Sequence, residues 1–252
     1  MVKKEHLFSS VHNQQLAETL VFPEQFQQKK IAILFIHGWR SNQEGALEYA
    51  EALAQGGFIC LTFDLRGHGS SDGNMDVLTR RDYVDDVLTA YDTLVTVASI
   101  DPEHIGVIGA SFGGYLGAML TARRKVKSLA LRVPADYSNE GFEKPQVLLS
   151  DAAKRVWQAQ EHQPHESCAL HALHTFTGEV LIVESGKDEQ ISHQTIANYT
   201  NTLNDKEKLT YIVMKEAGHR LQDHTLRAEY KQILINWFSK TVGTATLNGD
   251  QG

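Results

Sequence analysis

The chain has 252 residues, of which 42% are hydrophobic and 22% charged, and its formal net charge is −7. This size and composition are typical of one globular domain with a large core. The acidic balance and the scattered basic residues argue against a nucleic-acid partner, because such proteins neutralise phosphates with clustered Lys and Arg.

The first residues, 1–6, are followed by no long apolar stretch. We therefore expect neither a secretory signal nor a membrane span, and a cytoplasmic location. The two cysteines, Cys60 and Cys168, follow no disulfide or metal-ligand spacing, so we expect no disulfide framework and no metal. Cys60 lies inside an apolar run, which is typical of a small core residue.

Strand-like and helix-like segments follow one another along the sequence. Residues 5–11 and 14–22 predict an antiparallel strand pair with a turn at His12 and Asn13. Apolar runs that predict buried strands then alternate with amphipathic segments that predict helices, and a turn is predicted at Asp101 and Pro102. The further predicted strands are 31–36, 58–63, 104–108, 128–133, 179–184 and 209–215, and the predicted helices are 43–55, 80–98, 115–124, 145–161, 166–175, 191–204 and 221–240.

This alternation predicts an α/β fold with a mostly parallel central sheet of about eight strands, flanked by helices and joined by right-handed crossovers. The alternation pauses in a polar, histidine-rich stretch at 134–178. We expect one domain over residues 1–240. The Gly-rich and polar residues 241–252 show no periodicity and predict a flexible tail.

Residues 109–114 read Gly-Ala-Ser-Phe-Gly-Gly, between a predicted strand and a predicted helix. This is the G-x-S-x-G pattern of a nucleophile elbow in the strand–turn–helix setting that it requires. A serine on so sharp a turn is forced toward positive φ, and glycines two residues before and after it leave the necessary room. Ser111 is therefore the candidate nucleophile.

A serine hydroxyl needs a base to take its proton, and the base needs a third group to hold its tautomer. His219 follows the last predicted strand and fits the base in the chain order Ser, acid, His, whereas His224 falls inside the final predicted helix. Asp188 lies on a glycine turn after the preceding strand and fits the acid, with capping of the next helix as its alternative role. The alternative acids are Glu189, Glu184 and Asp136.

The tetrahedral intermediate of acyl transfer carries an oxyanion that must meet preorganised N–H donors. Phe112 follows the candidate nucleophile directly and offers one backbone N–H. The second donor is expected from the loop after strand 31–36, where Gly38 permits a tight turn and Trp39 supplies the N–H.

These motifs together resemble those of the α/β-hydrolase superfamily, within it most closely the small esterase, acyl-glycerol lipase and serine aminopeptidase-like group. The resemblance spans about residues 30–240. It implies the α/β-hydrolase fold, with 134–178 as a short helical cap insertion and residues 64–71 as a structural loop that Asp64 and Arg66 brace. The matching motifs are His37-Gly38-Trp39, residues 64–71, Gly109-x-Ser111-x-Gly113-Gly114, Gly186-x-Asp188 and Gly218-His219.

The chemistry that the resemblance implies is a serine hydrolase that cleaves carboxylic esters through an acyl-enzyme, without a cofactor. A small acyl ester is the expected partner. Thioesters, amides and short peptides are cleaved by the same triad and remain alternatives. A non-catalytic binding protein with this fold is a further alternative.

Several side chains are candidates for contacts with a substrate. Tyr137, Phe142 and Trp157 are candidates for lining an acyl pocket, with packing of the 134–178 stretch against the body as the alternative. Arg40 and Arg132 lie near the carboxyl ends of predicted strands and are candidates for binding an anionic group. Two H-x-x-H pairs could each share a helix face, but no Cys, Asp or Glu cluster accompanies them, so solvated polar faces are expected. The pairs are His162 with His165 and His171 with His174.

Overall fold

The computed structural model describes residues 1–24 and 30–241, in which one eight-stranded sheet is flanked by helices. The sheet order is β1-β2-β4-β3-β5-β6-β7-β8; β2 pairs antiparallel with β1 and β4, and every later neighbour pair is parallel. The predicted fold class is confirmed. The strands are β1 (Val2–Val11), β2 (Gln14–Pro23), β3 (Lys30–Ile36), β4 (Ile59–Phe63), β5 (Ile100–Ala110), β6 (Ser128–Arg132), β7 (Glu179–Ser185) and β8 (Leu209–Met214).

Apart from the helix predicted at 145–161, the helices of the described residues begin and end within a few positions of the predicted ones. Thr79 begins α2 with a capping box, in which its hydroxyl accepts from the Asp82 N–H and the Asp82 carboxylate accepts from the Thr79 N–H. No helix in the described part of the chain is both long and apolar enough to cross a membrane. The helices are α1 (Glu44–Gln55), α2 (Arg80–Thr96), α3 (Phe112–Thr121), α4 (Asp151–Gln158), α5 (Cys168–Thr175), α6 (His193–Thr202) and α7 (His224–Thr241).

The central strands of the sheet are buried on both faces, because helices cover each of them. On β3, Leu34 packs into the cluster that includes α2, α3, α5 and α6, whereas its neighbours Ile33 and Phe35 pack into the cluster under α1 and α7. Successive strand residues point to opposite faces, so a strand covered on both sides needs apolar residues at every position. The continuous apolar run at 31–36 reflects this requirement.

Two predicted boundaries differ from the structure. The turn expected at Asp101 and Pro102 lies inside β5, at an irregularity where the pairing with β3 shifts from Ile100 to Ile105. Proline lacks an N–H to donate, so it is tolerated where the ladder is interrupted. The helix expected at 145–161 is instead a short 3₁₀ turn and then α4, which Ser150 begins by accepting from the Ala153 N–H.

The 134–178 stretch divides into two parts. Its second half includes α5, which packs against α3 and contributes Ala169, Leu170 and Leu173 to the main core. Its first half includes α4, where most side chains are exposed to solvent. At the other end of the chain, Thr241 is still helical, and the rest of the predicted tail, 242–252, lies outside the described residues.

Candidate active site

Ser111 stands at the sharp turn between β5 and α3, with φ 52° and ψ −117°. The glycines on either side of it are required by close backbone approach. A Cβ on Gly109 would lie 2.3 Å from the carbonyl oxygen of Gly113, and a Cβ on Gly113 would lie 2.1 Å from that of Ile36. Any other residue at these two positions would push strand and helix apart, so the pattern Gly-x-Ser-x-Gly has a direct steric cause.

Residues with strained backbone conformations lie together at the carboxyl ends of the central strands. Apart from the β1–β2 turn, the non-glycine residues with positive φ in the described chain are Arg40 (56°), Ser111 (52°) and Val133 (41°). They follow β3, β5 and β6, which are neighbours in the sheet. Such conformations cost on the order of 1–3 kcal/mol each and are enriched at functional sites.

A cavity of about 900 Å³ opens at this same edge. Its walls come from the loops after β3, β5, β6, β7 and β8 and from residues 147–158. Ser111 and His219 both line it, as do Trp39 and Arg40 from the loop after β3. The carboxyl ends of parallel strands therefore bring together residues that lie far apart in sequence, which is the usual place for a site in an open α/β sheet.

His219 and Asp188 are joined directly, although each stands on a different loop. His219 Nδ1 lies 2.9 Å from Asp188 Oδ2 and 3.1 Å from Oδ1. Both side chains are nearly inaccessible, with exposed fractions of 10% and 4%. Because a carboxylate only accepts hydrogen bonds, Nδ1 carries the proton in the neutral ring, and Nε2 is then the nitrogen with the lone pair. The imidazole is thus held in the tautomer that a general base needs.

The Asp188 carboxylate is held in its charged form. Burial acts to raise its pKa, but the hydrogen bond from His219 and those from the N–H groups of Gln190 and Ile191, each 2.8 Å long, outweigh burial. The pKa of Asp188 therefore lies below its ordinary value. Asp188 thus stabilises the turn before α6 and the imidazole ring at once, but the helix itself is capped by Ser192, so the alternative role of Asp188 as a helix cap is wrong.

Ser111 Oγ forms no hydrogen bond with His219 or with any other residue of the described ranges, although both side chains face the cavity. Hydrogen bonds between a nucleophile and its base are often long before a substrate binds and shorten when it does. The arrangement leaves the hydroxyl and Nε2 both available at one cavity wall.

The loop after β3 lies against the elbow. A Cβ on Gly38 would lie 3.3 Å from the Ala110 carbonyl oxygen and 3.5 Å from Ser111 Cβ, so the loop that contains Gly38 and Trp39 packs closely against the serine turn. The N–H groups of Trp39 and Phe112 donate to no acceptor within the described chain. Their rings meet edge to face with centroids 5.4 Å apart, which fixes the two segments against each other.

Residues 33–229 match the model of the alpha/beta hydrolase family. The chain belongs to this family. This confirms the superfamily that the sequence motifs indicated, and the eight-stranded sheet agrees with it.

Relatives of this alpha/beta hydrolase include a protein named as a thioesterase and an uncharacterised protein. Human palmitoyl-protein thioesterase ABHD10, mitochondrial, is 25% identical over 217 residues, which cover 77% of this chain and 69% of that protein. The uncharacterised Escherichia coli protein YcjY is 28% identical over 120 residues, or 45% of this chain and 39% of that one.

Solved structures with the same fold include an esterase and a peptidase. Est1E from Butyrivibrio proteoclasticus with bound ferulic acid has a TM-score of 0.74 and 19% identity, and the match covers 94% of this chain and 99% of Est1E. The acylaminoacyl peptidase of Pyrococcus horikoshii has a TM-score of 0.72 and 17% identity, with 98% of this chain matching 43% of that chain. At these identities the likeness concerns the fold alone.

Two histidines hold the hydrolase's loop after β3, and the sequence analysis gave neither a role. His68 Nε2 accepts from the Arg40 N–H at 3.2 Å, while its Nδ1 donates to the Arg66 carbonyl at 3.0 Å. His37 Nδ1 donates to the Gly38 carbonyl at 2.8 Å. Burial lowers the pKa of His68 and brings that of His37 to about 4, so both rings are neutral near pH 7 and each nitrogen keeps its donor or acceptor role. The sequence signal for this role was the position of His37 in the His37-Gly38-Trp39 motif and of His68 in the 64–71 loop.

The loop 64–71 is braced as the family resemblance implied. The Asp64 carboxylate accepts from the N–H groups of Gln43 at 2.7 Å and Ser70 at 2.9 Å. Arg66 forms a buried ion pair with Asp86 of α2. The loop that carries His68 is therefore attached at two points: to Gln43 at the start of α1, and to α2.

Arg132 lies at the floor of the cavity and supports the His219 loop. Its guanidinium donates to the His219 carbonyl at 2.7 Å and to Ser185 Oγ at 3.3 Å, and lies over the Tyr230 ring. Burial lowers the pKa of Arg132 from its ordinary value. The hydrogen-bond acceptors of its guanidinium within the described chain include no carboxylate. The sequence analysis considered Arg132 for substrate binding; the structure engages it with the protein's own backbone.

Of the three aromatic residues predicted to line the cavity, only Tyr137 does so. The prediction is wrong for Phe142, whose ring packs against the guanidinium groups of Arg80 and Arg81. It is also wrong for Trp157, which lines a smaller neighbouring cavity. Both rings serve to attach the 134–178 stretch to the body, which was the alternative interpretation.

The alternative acid Asp136 is committed elsewhere. It accepts from Trp157 Nε1 at 2.9 Å and from Ser167 Oγ. Burial raises its pKa to about 6 against these hydrogen bonds. Trp157 also stacks on His162 with ring centroids 3.6 Å apart. Asp136 thus joins the two halves of the 134–178 stretch and does not contact His219.

The remaining alternatives also lie apart from the His219 ring. Glu184 accepts from His193 Nδ1 at 2.8 Å and from the Tyr211 hydroxyl. Glu189 is exposed at the cavity wall, and His224 is the exposed first residue of α7. The H-x-x-H histidines belong to no group of three or more metal-ligating side chains among the described residues.

Proposed function

We propose that this alpha/beta hydrolase cleaves carboxylic esters through an acyl-enzyme, with Ser111 as nucleophile, His219 as base and Asp188 as its orienting acid. The observation that carries the proposal is the pair formed by His219 Nδ1 and Asp188, in the same cavity as a serine at positive φ on a glycine-flanked elbow. Nucleophile, base and orienting acid are the parts that serine acyl transfer requires.

In the first half-reaction, Ser111 Oγ attacks the acyl carbon while its proton passes to His219 Nε2. The imidazolium that forms is stabilised by Asp188, which remains charged because its pKa is lowered. Collapse of the tetrahedral intermediate transfers the proton from Nε2 to the leaving alcohol. The ester bond is broken and an acyl group is left on Ser111.

In the second half-reaction, a water molecule takes the place of the alcohol. His219 Nε2 accepts its proton as it attacks the acyl-enzyme, and the same proton returns to Ser111 Oγ on collapse. Each intermediate carries an oxyanion, for which the free N–H groups of Trp39 and Phe112 are the proposed donors. Loss of one such donor costs about 3–4 kcal/mol of barrier in comparable sites.

In this proposal residues 147–158 act as a short cap. Val147, Leu149 and α4 contribute one wall of the cavity opposite the strand ends. A cap limits the access of water and shapes the acyl site. The rest of the predicted insertion, including α5, belongs to the body of the fold.

A thioester is the second candidate substrate, because the human relative at 25% identity is named a palmitoyl-protein thioesterase. The acylation and deacylation steps are the same for both; only the leaving group differs. Comparison of kcat/KM for phenyl butyrate and S-phenyl thiobutyrate separates the candidates. The proposed function requires that the oxygen ester is turned over at a comparable or higher rate.

The test of the proposal is labelling with a fluorophosphonate, which phosphonylates only a serine that a working base activates. We expect one phosphonyl group per chain, located by peptide mass spectrometry on the peptide that contains Ser111. Labelling should stop in His219→Ala, because the hydroxyl then has no base.

A charge-matched histidine provides the control. His224→Ala removes an exposed histidine at the start of α7 and should be labelled as fast as the original protein. Phosphonylation at another serine would reassign the nucleophile, and no phosphonylation of the folded protein would leave a non-catalytic binding protein as the better interpretation.

A further inference from the structure

The residues that line the cavity carry a net positive charge, whereas the whole chain carries a net negative charge. The whole sequence has 24 Lys and Arg against 31 Asp and Glu. Two carboxylates line the cavity, those of Asp151 and Glu189. The basic side chains that line it are five: Arg40, Arg132, Lys154, Arg155 and Arg220.

Three of these cations form no ion pair within the described ranges. The guanidinium groups of Arg40, Arg155 and Arg220 are exposed and form no hydrogen bond or ion pair with another residue of the described ranges. Elsewhere on the surface, exposed basic side chains are often ion-paired. Examples are Lys4 with Glu51, Arg81 with Glu143, Lys125 with Glu103 and Lys187 with Glu216.

Basic side chains from two segments of the chain lie close enough to Asp151, at the start of α4, to influence its charge. Lys154 lies 3.2 Å from Asp151, and the hydrogen bond and charge of Lys154 lower the pKa of that carboxyl. The charges of Arg155 and Arg40 act on Asp151 in the same direction. Arg40 belongs to the loop after β3, so basic groups from two separate segments act on the same carboxylate of α4. One carboxylate there leaves a surplus of positive charge.

The free arginines also adjoin the proposed catalytic groups in sequence. Arg40 follows Trp39, a proposed oxyanion donor, and Arg220 follows His219. At the floor, the buried Arg132 adds a cation that no carboxylate in the described chain pairs with directly. A cleft lined by charges of one sign concentrates ligands of the opposite sign and raises their rate of association by roughly 10- to 1,000-fold.

We propose that the ester this hydrolase cleaves is anionic, carrying a carboxylate or a phosphate that Arg40, Arg155 and Arg220 bind beside the scissile bond. The inference rests on the proposed function and specifies its substrate class. Arginine suits this role because its planar fork donates two parallel hydrogen bonds to either anion.

The test compares kcat/KM within three pairs of esters that differ only in charge. The first pair is para-carboxyphenyl butyrate and its methyl ester, with the anion on the leaving group. In the second pair the para-carboxylate of the leaving group is replaced by a phosphate, and the neutral member is the dimethyl ester of that phosphate. The third is para-nitrophenyl hydrogen adipate and its methyl ester, with the anion on the acyl group. We expect the anionic member of at least one pair to be preferred by roughly tenfold or more at low ionic strength.

The preference should depend on the three free arginines. In the triple variant Arg40→Gln, Arg155→Gln and Arg220→Gln, the anionic-to-neutral ratio of kcat/KM should fall to about one, because the cavity then loses its unpaired cations. The control removes the same net charge outside the cavity and should keep the ratio. It combines Lys3→Gln, Arg123→Gln and Lys127→Gln, all at exposed positions.

The outcomes separate this inference from the function on which it rests. If Ser111 is labelled and neutral esters are cleaved, but no pair favours its anion or the triple variant keeps the preference, the anionic substrate is ruled out and the esterase remains. If Ser111 is not labelled and no ester in any pair is cleaved, both proposals fall. The pair that shows the preference identifies carboxylate or phosphate and its side of the scissile bond.

Discussion

Replacement Ser111→Ala is expected to reduce kcat/KM for para-nitrophenyl butyrate by about 10⁴-fold or more, because the acyl-enzyme then has no oxygen to form on. The residual activity of the variant would reflect the oxyanion donors and substrate binding alone. The fold should survive, since Ser111 makes no side-chain hydrogen bond within the described chain and alanine keeps the same Cβ at φ 52°. Initial rates and thermal unfolding of the two proteins measure both effects.

The control for this substitution is a serine away from the cavity. Ser10→Ala changes an exposed residue of β1, paired across the hairpin with Gln15, and should leave kcat/KM within about twofold of the original protein, as surface substitutions usually do. A Ser111→Ala protein that is folded and still turns over the ester by more than a few per cent would remove Ser111 from the mechanism.

Replacement Asp188→Asn is expected to reduce kcat by about 10²- to 10⁴-fold with a smaller effect on KM. The amide can donate to Nδ1 and so favours the tautomer with its proton on Nε2, which cannot accept the serine proton. The lowered pKa of Asp188 keeps the original carboxylate charged across the assay range, about pH 5 to 9. The loss should therefore appear over that whole range, and a pH–rate profile measures it.

Its neighbour provides the matched control. Glu189→Gln makes the same change of charge and chemistry one residue later, at an exposed side chain that forms no hydrogen bond with the His219 ring. We expect kcat of the Glu189→Gln variant to fall by less than about threefold. Equal losses in both variants would point to the loop's net charge, and a larger loss in Glu189→Gln would reassign the acid.

The elements that the sequence predicted well are those whose pattern reflects a local requirement. The run at 31–36 is apolar at every position because β3 is covered on both faces. The glycines at 109 and 113 are needed because their Cβ atoms would overlap neighbouring backbone. The turn expected at Asp101 was misplaced because an X-Pro pair also fits an irregular strand, and only the pairing of β5 with β3 distinguishes the two.

The substrate side chains were the least predictable part. Tyr137, Phe142 and Trp157 have equivalent signals in the sequence, yet only Tyr137 reaches the cavity. Phe142 instead meets two arginines of α2, and Trp157 meets Asp136. Which face of a short helical segment turns toward a cavity depends on how that segment packs on the body, and spacing along the chain does not contain that information.

By itself the sequence determined the parallel sheet, the elbow at Ser111 and the order of the residues proposed for catalysis, because hydrophobic period, glycine sterics and chain order are local properties. The tertiary structure alone decided that Asp188, and not Asp136 or Glu184, contacts His219. It also decided that unpaired arginines gather at one cavity of an acidic protein. Both depend on loops from separate strands meeting at one edge of the sheet, and their distances are set only when the core has packed.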